Sequence, residues 1–211
     1  MRKLLLVAAS VTAVAATSML STAAAAKGCP VCGRNLIKNP GAELGRGVTA
    51  VGAFGAVPGW TIAGGQFGAA SYTFPNGWFS AKTKGPATRG KNYFFGGTTT
   101  EAVQASASIG TQTIALPASA VGRKATLSGW LGNYVENRSQ VRAQFMDASG
   151  ALLSTVRIGP AVTIAGTDMG LRSRNGKVPT GTTQVMISVI FSGGGAAYKL
   201  AGADSLSLVL S

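Results

Sequence analysis

Ala203-Asp204-Ser205-Leu206-Ser207-Leu208, close to the end of the 211-residue chain, is the segment on which the fold reading turns. Leu206, Leu208 and Leu210 alternate with Ser205, Ser207 and Val209, the period-2 pattern of a half-buried strand. Its counterpart is Asn35-Leu36-Ile37-Lys38-Asn39-Pro40-Gly41-Ala42-Glu43. That stretch reads as a short apolar strand entering an Asn-Pro-Gly turn, with a carboxylate just past it.

Short strands and turns fill the space between. Trp60–Ala63 follows the Pro58-Gly59 turn, Gly65 to Phe74 alternates raggedly, and Tyr93-Phe94-Phe95 is a short aromatic strand. Further strands are expected over Ser106–Ile114, Ala125–Tyr134, Gln140–Met146, Leu152–Ile158, Met169–Ser173 and Gln184–Phe191. Asp147-Ala148-Ser149-Gly150 is a hairpin turn between two of them. No segment sustains a 3.6-residue apolar period, and Ala118–Val121 offers at most one helical turn. Strands spaced this closely, with 30 glycines in the chain, predict an all-β sandwich or jelly roll in one domain, residues 35–211.

Residues 1–26 stand apart. Arg2 and Lys3 precede an uncharged apolar run that ends in Ala23-Ala24-Ala25-Ala26, the layout of a cleaved secretory signal peptide. The run is also just long enough to span a bilayer, but its small-residue end points to cleavage; no later segment reads as transmembrane. Residues 27–34 form a short lead holding Cys29-Pro30-Val31-Cys32. Dropping Arg2 and Lys3 leaves 17 basic and 6 acidic residues, a net charge of +11. Such a charge draws polyanions, and after export these are acidic polysaccharides and cell-envelope polymers; a charge serving solubility alone is the plainer reading. The basic residues are scattered, clustering only at Lys82/Lys84, Arg123/Lys124 and Arg172/Arg174/Lys177. A dedicated nucleic-acid surface is not expected from that pattern.

Several segments, taken in order, resemble the galactose-binding-like jelly-roll domains found in bacterial carbohydrate-binding modules. They are the two end segments, Thr113-Ile114-Ala115-Leu116-Pro117, Ser128-Gly129-Trp130-Leu131-Gly132-Asn133-Tyr134, Gln144-Phe145-Met146-Asp147-Ala148-Ser149-Gly150 and Val178-Pro179-Thr180-Gly181-Thr182. The resemblance implies that the first and last strands lie side by side. It also implies a structural calcium ion held between them by Glu43 and Asp204, with backbone oxygens from Asn39–Gly41 and Lys91-Asn92 completing an oxygen shell. The alternative is that both carboxylates cap turns and neutralise basic neighbours.

An inventory weighs against catalysis. The chain has no histidine, which removes Ser-His-Asp and Cys-His nucleophiles and histidine-ligated zinc. Its carboxylates are Glu43, Glu101, Glu136, Asp147, Asp168 and Asp204, and none sits in a recognisable glycosidase context. Cys29 and Cys32 are expected to form a local disulfide after export.

Trp60 and Trp130 sit in strand contexts and read as core. Tyr72, Phe74, Trp78 and Phe79 gather around the Pro75-Asn76-Gly77 turn, and Lys82, Lys84 and Arg89 follow. An aromatic platform edged by cations suits an anionic polysaccharide; the other reading is a loop folded back over the sandwich. The function expected is that of a secreted, non-catalytic module binding carbohydrate or an anionic envelope polymer. Two alternatives are an extracellular structural protein with a protein partner and a small polysaccharide hydrolase or lyase.

Overall fold

The computed structural model describes residues 28–49, 55–74, 79–97, 106–134, 136–161, 168–193 and 199–211. Among these residues ten strands form two five-stranded sheets. Sheet I runs β1 (Thr61–Gly64), β4 (Ala107–Ala115), β9 (Gln184–Ser192), β6 (Arg138–Met146), β7 (Leu152–Ala161). Sheet II runs β2 (Gly68–Ser71), β3 (Asn92–Phe95), β10 (Ala201–Leu210), β5 (Lys124–Asn133), β8 (Met169–Lys177). Every pairing between these strands is antiparallel. One 3₁₀ turn, Ala118–Ala120, is the helical element among the described residues.

Alternation builds the core. Val141, Ala143 and Phe145 of β6 and Val185, Ile187, Val189 and Phe191 of β9 point inward, meeting Ala125, Leu127 and Leu131 of β5 and Leu206, Leu208 and Leu210 of β10. Burying aliphatic and aromatic side chains on this scale is the main favourable term of folding. Strand β10 keeps this pattern across a bulge between Asp204 and Ser207, where Ser205 takes φ 49°. The extra residue lets Ala201 and Ala203 face the core on one side of the bulge and the three leucines on the other.

The opening segment does lie beside the last strand, but not as a strand of its own. Asn35 makes a single antiparallel bridge to Val209, and its side chain then replaces the ladder. Asn35 Nδ2 donates to Leu206 O (2.9 Å), while its Oδ1 accepts from Leu208 N (3.0 Å) and Ile37 N (3.1 Å). An asparagine that bonds backbone on both sides stops a strand from propagating, and the Asn39-Pro40 turn follows with Asn39 at φ 47°.

Cys29 and Cys32 are joined in a disulfide, and Cys32 packs partly on the core. The closed loop is short, so Cys29→Ser should cost well under the roughly 3 kcal/mol that a 15-residue loop carries. Urea denaturation of the variant checks this, and a loss of that size or larger would count against it.

Candidate functional site

The described part of the expected aromatic platform is core. Tyr72, Phe74 and Phe79 are buried together with Tyr93, Phe95, Met169, Val48 and Ala70 in a second apolar cluster. This cluster lies on the outer face of sheet II, where the chain after β2 folds back across it. Phe79 explains the fit: a Cβ on Gly132 would stand 2.5 Å from its ring, and one on Gly202 2.8 Å. Adjacent strands β5 and β10 thus offer bare backbone to receive the ring. Rings enclosed this way present no face to a sugar, and the expectation is corrected for these three residues. Trp78 lies outside the described residues.

The cations of the same segment divide. Lys82 and Lys84 are exposed, and the backbone of Lys84 is tied down by Asp168 Oδ1, which accepts from its N–H, and by Met169 N, which donates to its carbonyl. Arg89 is structural: it donates to Pro86 O and Ser80 O and lies 5.1 Å from the Tyr72 ring centre. Trp60 and Trp130 are each partly buried. Trp60 packs against Phe67 and Phe94 and donates to Asn39 O, and Trp130 packs on the second cluster.

Glu43 and Asp204 lie close to one another. A Cβ placed on Gly41 would lie 3.0 Å from Asp204 Oδ1 and 3.5 Å from Glu43 Oε1, so both carboxylates approach one point. Glu43 accepts from the N–H groups of Lys91 (2.8 Å) and Asn92 (3.1 Å). Asp204, 1% exposed, accepts from the Tyr72 hydroxyl (2.7 Å) and Ser205 N (2.5 Å). Burial raises the Asp204 pKa to about 6, the Tyr72 and Ser205 hydrogen bonds work against that rise, and the nearby Glu43 charge adds to it. The Tyr72 hydroxyl is pushed far above its usual range by burial and then by Asp204. Two converging carboxylates, one of them buried, fit the acidic ligands of a hard cation. The neighbouring backbone departs from the expected shell, since Lys91 and Asn92 turn N–H groups rather than carbonyls towards Glu43.

A feature with no counterpart among the expected residues lies on the outer face of sheet I. Arg142, Gln144, Leu152, Thr155, Arg157 and Arg174 line a cavity of about 400 Å³. Register assembles it. Arg142 pairs directly with Arg157, and Gln144 with Thr155, across β6 and β7. Arg174 comes from edge strand β8 of the other sheet, on the strand face that carries Gly176 against Val156 of β7. Arg142 Nε donates to Gln140 Oε1 (2.5 Å), and Gln144 accepts from Ser188 Oγ (3.4 Å).

Solved structures place this architecture. A carbohydrate-binding module, the second of family 16, is similar with TM-score 0.52 and 18% identity, covering 83% of this chain and 99% of its own. The fold is the galactose-binding-like jelly roll. The same jelly roll is shared by an apo-form cyclase from Fischerella sp., with TM-score 0.59, 15% identity, 86% of this chain and 96% of that one. It also occurs in the enzymatically active domain of tailspike protein 4 of bacteriophage CBA120, with TM-score 0.57 and 15% identity. That match covers 84% of this chain but only 21% of the tailspike chain. The jelly roll therefore serves both binding modules and enzymes. No family model and no curated protein matches the sequence. Among the described residues no helix is long and apolar enough to cross a membrane.

Proposed function

We propose that the protein is a secreted, non-catalytic carbohydrate-binding module whose ligand docks on the outer face of sheet I. The observation that carries this reading is the open cavity where Arg142, Gln144, Thr155, Arg157 and Arg174 converge beside Leu152. It combines hydrogen-bonding groups with an apolar flank on a rigid sheet, as sugar sites do. The jelly-roll fold supports it, because carbohydrate-binding modules are among the structures that share it. Export is supported by the arrangement of residues 1–26 and by the Cys29–Cys32 disulfide. The absence of histidine supports a non-catalytic role, as does the enclosure of Asp204, whose carboxylate is the one found beside Glu43.

Calcium belongs to the same proposal as a structural ion at Glu43 and Asp204. It would supply positive charge to buried Asp204 and exposed Glu43 and tie the segment after Asn39 to β10.

A glycan array followed by amide-shift mapping tests the binding reading. The expected result is a bound glycan whose shifts fall on β6 and β7. A bound glycan that perturbs sheet II instead, or no bound glycan at all, would overturn it. Exposed Leu152, Leu153 and Leu171 favour a second reading, a protein partner on the β7–β8 side, and saturable capture of such a partner that competes with no glycan would mark it.

A further inference from the structure

We infer that the cavity on sheet I recognises an oxyanion substituent, a sulfate ester or a carboxylate, borne by the polysaccharide. The inference rests on the binding reading above and names the ligand class it leaves open. Three guanidinium-bearing residues, Arg142, Arg157 and Arg174, line one cavity, and among the described residues no carboxylate shares the lining. The pairing makes this more than a loose accumulation of charge. Arg142 and Arg157 are direct antiparallel partners, which places their Cβ atoms about 4.5–5.5 Å apart, and like charges directly opposite destabilise a sheet. Fold stability alone gives no reason for two arginines there. An oxyanion between them turns repulsion into attraction, and the planar fork of arginine suits carboxylate and sulfate oxygens.

The neighbours set the geometry. Gln140 holds Arg142 through Nε, which leaves the outer nitrogens of that guanidinium for a ligand. Arg174 adds a third fork from the opposite sheet, so the bound group is gripped across the open side of the sandwich. Leu152 and Thr155 supply a flank for the sugar ring that carries the charge. The basic residues that the scattered sequence pattern left unassigned are gathered here by register.

Affinity of the full exported chain can be measured for three matched probes: chondroitin 4-sulfate oligosaccharide, the same oligosaccharide desulfated, and the desulfated form with its carboxyls reduced. The expected order is sulfated and carboxylated above carboxylated only, with the neutral form weakest. Arg157→Gln should weaken the charged probes by about tenfold or more, as loss of hydrogen bonds to a charged group does, and the neutral probe by much less. Because Arg157→Gln also removes the opposed pair, its thermal midpoint should match or exceed the wild-type value at low salt. Arg123→Gln, a variant outside the cavity, should bind as wild type does. Equal affinity for charged and neutral probes, or full retention by Arg157→Gln, would overturn the inference while the binding reading stands. No binding of any probe, together with an empty glycan array, would overturn both.

Discussion

Phe79→Ala should cost about 3–5 kcal/mol of stability, the usual range for emptying a fully buried phenylalanine site. The ring is completely enclosed and rests on Gly132 and Gly202, which have no side chains to collapse into the void. Tyr93, at 5.3 Å from the ring centre, would lose its edge contact as well. Equilibrium unfolding in urea reads the effect directly. A ring on an exposed stacking platform would change stability by no more than about 0.5 kcal/mol, so a shift that small would refute the packing described for this segment.

The second large effect is a pH dependence centred on Asp204. In the folded protein burial raises its pKa to about 6 from the ordinary 3.8. The folded state therefore holds the Asp204 proton more tightly than the unfolded chain does. Its stabilising contribution is full well below the unfolded value and is lost as pH rises through 6, by about 3 kcal/mol in total. With a chelator present, stability should fall across this interval, and Asp204→Asn should remove the fall. Calcium bound at Glu43 and Asp204 would favour the ionised form, so added calcium should flatten the dependence and raise the neutral-pH midpoint. An identical slope in wild type and Asp204→Asn would exclude the Asp204 account. A midpoint indifferent to calcium would exclude the ion.

Strands β4, β5, β6, β9 and β10 were legible because each carries its own alternation. Leu206, Leu208 and Leu210 announce β10 without help from any other segment, and Asp147–Gly150 marks its turn by composition, with Gly150 at φ 85°. The opening segment was misread as a strand because Leu36 and Ile37 look like one, whereas the deciding atoms are the side-chain oxygen and nitrogen of Asn35. Tyr72, Phe74 and Phe79 were misplaced for a different reason. What receives Phe79 is a patch of bare backbone at Gly132 and Gly202, on strands far away in sequence, and no local pattern reports it. The arginine cavity was legible only in part. Counting back from Met146↔Leu152 places Arg142 opposite Val156, an inward position; the bulge between Phe145 and Met146 shifts the register by one, and Arg142 then faces Arg157. A one-residue irregularity decides whether two cations meet, and Arg174 joins them only through the packing of two sheets.

Strands β7 and β8 end their sheets on the same side of the sandwich, and each has a row of backbone groups with no ladder partner among the described residues. Rows like these can template strand addition from another copy of the chain. Leu152, Leu153 and Leu171 are exposed beside them, so the side chains offer little steric or polar resistance. Pro160 on β7, together with Arg157, Arg172, Arg174 and Lys177, supplies what resistance there is, as edge proline and edge charge do in natural sheets. Arg157 and Arg174, proposed to hold a polyanion, are thus also among the residues that keep copies of the protein from zipping together. Stripping all the arginines to abolish binding would leave an apolar edge open to self-association, and a polyanion long enough to neutralise several copies at once would bring those edges close to one another.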